Sequence, residues 1–274
     1  MEIQALQGKA ALVRQDIIRE VYSANSGHPG GSLSCADIMT ALYFEVMNID
    51  PADPAKEGRD KFVLSKGHAA PALYAAMAER GFFPKEELTT LRHIGTRLQG
   101  HPSMKKLPGL EMSTGSLGQG ISAAVGMALA AKLDKSPARI YTILGDGELQ
   151  EGMVWEAAMA ASHYGLDNLC AVVDHNGLQI DGKNDDVMTV NPIANKFAAF
   201  GWNVIAIDGH DMEQIVAAFA DAKAIKNSGR PTVIVAETVK GKGVSFMENQ
   251  AGWHGKAPNA EQAAQAMTEL GGAL

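Results

Sequence analysis
The sequence predicts an α/β protein of three layers, with a mostly parallel central sheet covered by helices on both faces. Three observations lead there. Helical and strand patterns alternate along the chain, as parallel strands joined by crossover helices require. Short apolar runs at 62–65, 140–144, 169–173 and 231–237 read as strands buried on both sides. The 274 residues are 46% hydrophobic, enough for a sizeable core in one large domain, although two small domains also fit.

Composition narrows the class of function. A net charge of −7 argues against a nucleic-acid partner, which needs a basic face. Cys35 and Cys170 fall in a predicted helix and a predicted strand, and read as reduced core thiols of a cytoplasmic protein. The N-terminus carries no signal pattern, and no apolar run approaches the ~18 residues of a membrane helix.

The elements follow in order. Residues 4–24 form an amphipathic helix, with Val13, Ile17, Ile18 and Val21 on one stripe. Ser26-Gly27-His28-Pro29-Gly30-Gly31-Ser32-Leu33-Ser34 is a loop whose glycines and proline fix a histidine. Taken alone, His28 reads first as a loop hydrogen-bonder, with catalysis the alternative. A helix over 36–47 and a polar connection over 48–59 lead to the strand at 62–65. That strand runs into Lys66-Gly67-His68 and a helix over 69–80. His68 at a helix start either meets an anion or caps the helix. A short charged helix at 84–93 precedes a long loop, 94–113, around Gly100-His101-Pro102.

Gly115-Ser116-Leu117-Gly118-Gln119-Gly120 is a glycine-rich turn entering a helix over 121–133. No strand precedes it, so it is not a dinucleotide fingerprint. The small residues of that helix point to close packing against another helix or a partner chain. Further on come a loop over 178–182, a helix at 192–200, a buried strand at 204–207 and a helix from Asp211 to about 226. His210 reads as a capping residue. Lys240, Lys242 and Lys256, in the loop after the last strand, read as solvated charges. An alanine-rich helix over 260–270 ends the chain.

The chemistry concentrates at 140–177. The strand at 140–144 ends in Gly145-Asp146-Gly147-Glu148, and the strand at 169–173 ends in Asp174-His175-Asn176-Gly177. In a parallel sheet both ends emerge on one edge, where open α/β sheets bind ligands. A carboxylate, an amide and a backbone carbonyl from the next turn suit Mg²⁺, with phosphates completing its shell. Gly147 leaves room for a phosphate to approach the backbone. The stretch therefore predicts a Mg-diphosphate site.

Gly145-Asp146-Gly147 followed by Asn176 resembles the thiamine diphosphate motif. The whole chain resembles the N-terminal, diphosphate-binding third of transketolase, especially the N-terminal subunit of two-chain transketolases. The resemblance is carried in order by Ser26 to Ser34, Phe62 to Ala70, Gly100-His101-Pro102, Gly115 to Gly120, Gly145 to Glu156, Asp174 to Gly182, and Trp253-His254-Gly255. It implies the thiamine diphosphate-binding fold over 1–274. It also implies that Asp146, Asn176 and the carbonyl of Leu178 hold Mg²⁺, while Gly147 and Asn176 meet the cofactor's diphosphate. His68 and His254 would lie near diphosphate and substrate, and His28 and His101 would bond the sugar's hydroxyls and carbonyl or alkoxide oxygen. All four histidines are then catalytic candidates. Gly115, Leu117 and Gly118 would border the thiamine. Glu151, also counted among the cofactor contacts, and Glu156 would lie at a subunit interface near the partner's catalytic acid.

By the same resemblance, the pyrimidine-binding and C-terminal domains belong to a separate chain of roughly 300 residues in an α₂β₂ heterotetramer. The expected reaction moves a two-carbon ketol unit from a ketose phosphate, such as xylulose 5-phosphate, to an aldose phosphate, such as ribose 5-phosphate. Many transketolases carry a second histidine where this chain has Ala251, so part of the substrate contact differs. The alternatives are an enzyme of the same build acting on a modified sugar phosphate or making 1-deoxyxylulose 5-phosphate, a 2-oxo acid dehydrogenase α subunit, and a non-catalytic scaffold. Four imidazoles argue against the oxo acid enzyme, since a sugar gives them more to do.

Overall fold
The computed structural model describes residues 1–225 and 228–274. The first helix, α1 (Ile3–Ala24), buries Leu6, Val13, Ile17 and Val21. It ends at Asn25, in the left-handed region at φ 46°. The segment expected as a loop around His28 instead contains a short helix, α2 (Pro29–Ser34). Pro29 occupies its first turn, where its fixed φ and missing N–H cost nothing. The helix expected over 36–47 divides into α3 (Ala36–Ala41) and a wider π-helical turn, Leu42–Val46.

Strand β1 (Lys61–Leu64) passes through a 3₁₀ turn, Gly67–Ala69, into α4 (Ala70–Arg80). The charged stretch near 84–93 is a 3₁₀ turn, Lys85–Thr90, and the glycine-rich turn enters α5 (Gln119–Leu133). Strand β2 (Ile140–Gly145), α6 (Gly152–His163) and β3 (Leu169–His175) form the expected central unit. The loop expected over 178–182 holds a small antiparallel pair, β4 (Leu178–Gln179) and β5 (Gly182–Lys183), followed by α7 (Asn184–Val187).

Then come α8 (Ile193–Ala199), β6 (Asn203–Asp208), α9 (Met212–Ala224), β7 (Thr232–Glu237) and α10 (Ala260–Glu269). Asp211 caps α9 by accepting from the N–H groups of Glu213 and Gln214. The expected end of that helix at 226 lies outside the described residues.

The five long strands run parallel in the spatial order β1-β2-β3-β7-β6. Successive side chains point to opposite faces. Phe62, Leu64, Tyr141, Ile143, Cys170, Val172 and Ile234 therefore join one core, beneath α1, α3, α4, α9 and α10. Val63, Ile140, Leu144, Ala171, Val173, Val233 and Val235 join a second core, beneath α5, α6 and α8. Each Val, Leu, Ile or Phe among them, fully buried, contributes about 1.5–3 kcal/mol relative to exposure. Strand β6 was expected to be buried but lies at the sheet edge, with Ala206 and Asp208 exposed. Both cysteines are free and buried. Among the described residues no helix is long and apolar enough to cross a membrane.

One core residue makes a testable demand. Glu20, on α1, is fully buried, and neither carboxyl oxygen has a hydrogen-bond partner. Burial first, then the nearby Asp16, push its pKa well above the usual carboxylate value. The native state thus holds this proton while the unfolded chain releases it. The stabilisation is complete below the unfolded pKa and drains away as pH rises to the native one. Glu20→Gln removes that titration. The variant's stability relative to the parent should therefore climb from about pH 4.5 upward, by about 1.4 kcal/mol per unit of pKa difference. Urea melts at several pH values give the slope, and a flat difference would rule the account out.

Candidate functional site
The carboxyl edge of the sheet gathers four strand ends. Behind β1 come Lys66 and His68; behind β2, Asp146 and Gly147; behind β3, Asn176 and Leu178; behind β7, Lys240 and His254. Strand order turns back between β3 and β7, and such switch points open ligand crevices. A cavity of about 330 Å³ lies there, bordered by His28, His68, Leu117, Asp146, Asn176 and Lys240 among others.

Asp146 is 2% exposed. Its carboxylate accepts from the backbone N–H groups of Gly147 (2.8 Å) and Gly177 (2.5 Å). Burial and the neighbouring Asp174 raise its pKa. Among the described residues it has no side-chain ion pair, unlike Asp174. The Asn176 side-chain oxygen accepts from Leu178 N–H at 3.1 Å, and its amide nitrogen lies 3.3 Å from Asp174. The Leu178 carbonyl accepts from Lys240 Nζ at 3.1 Å. A Cβ on Gly147 would sit 3.4 Å from the Gln179 side chain, at the wall of the cavity.

Beneath this loop lies a buried ion pair. Lys66 crosses the end of β2 to reach Asp174, and also donates to the Gly31 carbonyl at 2.6 Å. Asp174 further accepts from Ser34 (2.6 Å) and Thr238. Burial opposes ionisation of Asp174, but Lys66 and the hydroxyls hold its pKa below the ordinary value. Hydrogen-bonded on both oxygens, the pair offsets the cost of removing two charges from water.

The four histidines converge. The His28 ring centroid lies 5.3 Å from that of His68, 5.4 Å from His254 and 6.3 Å from His101. His68 and His254 are 5.0 Å apart. Burial is the first cause of lowered pKa values in all four. His28 is pushed down to about 4 and His254 to about 3, with Arg92 and Lys240 the respective leading charges. Arg92 Nη2 lies 3.3 Å from His28 Nδ1, and Lys240 Nζ lies 3.0 Å from His254 Nδ1. Cationic groups only donate, so both Nδ1 atoms accept and each Nε2 carries the hydrogen. The cluster is thus a set of neutral imidazoles, and in His28 and His254 the tautomer is fixed. His101 is exposed and packs against Gly115, outside the cavity lining.

Several expectations need correction. Lys240 is not a solvated charge: it is 2% exposed, and burial and Lys66 lower its pKa to about 8. His210 does not cap a helix. Its ring lies 2.8 Å from Asp37 and accepts the Val239 N–H. The small residues of α5 do pack closely against another helix, α6, as expected, while Gly126, Ala130 and Leu133 remain exposed. Gly115 and Leu117 border the cavity as expected; Gly118 lies just behind, at φ 81°. Glu151 borders it and is exposed, and Glu156 is exposed on α6. Lys66, Glu148, Asp174 and Arg92 went unassigned by sequence reasoning. Lys66 and Asp174 had a signal, a charge directly continuing an apolar strand; Arg92, in a loop far from the motif, had none.

An open parallel sheet with carboxylate, amide and imidazole groups around a crevice at its carboxyl edge defines a cofactor-binding α/β enzyme domain. The family model "Transketolase, thiamine diphosphate binding domain" matches residues 7–273. The chain belongs to that family.

The 6-deoxy-6-sulfo-D-fructose transketolase subunit of Clostridium sp. (strain MSTE9) is 48% identical over 97% of this chain and 96% of its own length. An apulose-4-phosphate transketolase subunit of Phocaeicola vulgatus is 43% identical, over 98% and 95%. The transketolase structure from Campylobacter jejuni superposes with a TM-score of 0.92 at 35% identity, over 100% of this chain and 44% of that one. The chain thus spans nearly the full length of the subunit relatives and under half of the longer enzyme.

The residues present fit thiamine diphosphate with Mg²⁺. Asp146 is a buried carboxylate that accepts from two backbone N–H groups with the Asn184 side chain beside it, and two further oxygen donors adjoin it. That set suits a hard cation, which needs no cluster of three His, Cys, Asp or Glu side chains; among the described residues none exists. Lys240 supplies positive charge at the same wall.

Proposed function
We propose that this chain is the N-terminal subunit of a two-chain transketolase that moves a two-carbon ketol unit between sugars. The observation that carries the reading is one cavity joining the Asp146–Asn176–Leu178 oxygen set to three of four converging imidazoles. Asp146, Asn176 and the Leu178 carbonyl hold Mg²⁺, and Gly147 and Lys240 face the diphosphate. Thiamine diphosphate, when bound, supplies the carbanion equivalent that carries the two-carbon unit. This chain's residues bind, orient and exchange protons. His28 and His254 offer Nε2–H groups to sugar oxygens, and a neutral imidazole can take a proton back. His101, at 6.3 Å from His28, reaches a sugar from the exposed side.

The names of the subunit relatives favour a modified ketose over xylulose 5-phosphate. They also support a separate second subunit, which would bring the pyrimidine-binding domain and the acid that activates the cofactor. An α₂β₂ assembly places each cofactor between the two chain types, and Glu151 and Glu156 would face the second chain.

The test is an assay with Mg²⁺ and thiamine diphosphate on this chain alone and mixed with its second subunit. Donors are xylulose 5-phosphate, 6-deoxy-6-sulfofructose and apulose 4-phosphate, with an aldose phosphate acceptor. Activity confined to the mixture is expected. Turnover by this chain alone would overturn the two-chain reading, and silence in the mixture with cofactor bound would overturn the reaction.

A further inference from the structure
The residue directly after Gly145-Asp146-Gly147 binds neither the proposed metal nor the proposed substrate, yet it is built into the site. Glu148 is 2% exposed. One carboxyl oxygen accepts from the Ser65 hydroxyl and from Gly118 N–H at 2.9 Å. The other accepts from Gly145 N–H at 3.0 Å. These three donors come from different segments: the end of β1, the glycine-rich turn before α5, and the end of β2.

The turn and the end of β1 already meet backbone to backbone. A Cβ on Gly120 would come 2.6 Å from Ser65 Cα, and one on Gly67 would come 2.7 Å from Gly115 N. Such packing fixes how close the segments lie but leaves them able to slide. Three hydrogen bonds converging on one planar carboxylate also fix direction, and bonds to a charged group are the stronger kind. Gly115 and Leu117 border the cavity on the turn side; Gly145 and Gly147 border it from β2.

We propose that Glu148 is a positioning residue that locks the thiamine-side turn to the diphosphate-side loop, so that the groove between them keeps a fixed length. The proposal rests on the thiamine diphosphate reading of the cavity. A ligand spanning both sides depends on that spacing, whereas a ligand touching only the diphosphate loop does not.

Glu148→Gln keeps the shape and removes the pattern. In either orientation the new amide N–H₂ faces a backbone N–H, donor against donor. Amide hydrogen exchange on this chain is the first readout. At least one of the Gly118 and Gly145 amides, whichever faces the new N–H₂, should exchange at least about tenfold faster in the variant, as loss of its acceptor implies. The Gly147 and Gly177 amides, bonded to Asp146, should not change.

Calorimetry on the two-subunit assembly with Mg²⁺ is the second readout. Thiamine diphosphate should bind on the order of tenfold more weakly, while inorganic pyrophosphate keeps its affinity. Ser65→Ala removes one donor and leaves the carboxylate in place. It should weaken thiamine diphosphate selectively too, and serves if the first variant fails to fold. Unchanged exchange, or equal weakening of both ligands, would overturn the proposal. A parent assembly binding neither ligand would sink the site reading and this inference with it. A variant binding both like the parent would sink the role of Glu148 alone.

Discussion

Asp146→Ala is expected to eliminate Mg²⁺-dependent binding of thiamine diphosphate. The side chain is the one carboxylate of the proposed metal set, and it is held in place by two backbone N–H groups. Asn176 and Leu178 contribute neutral oxygens, which bind a hard cation more weakly than an anion does. Removing one charge from a buried pair typically costs about 3–5 kcal/mol, or at least a hundredfold in affinity. The variant should still fold, because burial and Asp174 already disfavour the ionised Asp146. Asp146→Asn sharpens the comparison, since it keeps an acceptor for a backbone N–H and loses only the charge. Calorimetric titration with thiamine diphosphate, with and without Mg²⁺, reads both variants. Parent-like affinity in Asp146→Ala would remove the central assignment, whatever the enzyme's activity.

Much of this arrangement was legible in the sequence, for a physical reason. Parallel strands buried on both faces must be apolar throughout, so β2, β3 and β7 announce themselves. Their carboxyl ends then share an edge, which brings Asp146 and Asn176 together without knowledge of any side chain. The edge strand β6 has the same apolar pattern, but exposure depends on what lies beyond it, which local sequence does not encode. The helix α2 was hidden because its glycines suit a loop equally well; tertiary packing decides the matter, leaving all six residues buried. Lys240 was misread for a related reason. A lysine in a glycine-rich loop is usually solvated, and only the fold reveals that His254 and the Leu178 carbonyl surround this one. His101 was recognised through a motif, yet its distance from His28 depends on the path of the long loop over 94–113.

The second large effect is expected at the imidazoles. His28→Ala or His101→Ala should lower kcat by roughly 10²–10⁴ while leaving thiamine diphosphate affinity within about threefold, as removal of a general acid–base or transition-state donor does. Geometry separates the two functions. Asp146, Gly147 and Asn176 follow β2 and β3, whereas His28 precedes α2 and His101 sits in the long loop. His28 is also oriented from behind: Arg92 donates to Ser26 at 3.0 Å and contacts His28 Nδ1. That contact leaves Nε2–H as the group free to meet an alkoxide as charge develops on it, and a hydrogen bond that strengthens at that moment raises kcat rather than ground-state binding. His254 offers a contrast within the same cluster, since Lys240 joins it to the Leu178 carbonyl. His254→Ala should therefore weaken cofactor binding as well as turnover. Single-turnover kinetics and calorimetry on the three variants separate these outcomes. Cofactor affinity lost equally in all three would mean that the imidazoles act as one cofactor-binding unit, and the separation of His28 and His101 from cofactor binding would fail.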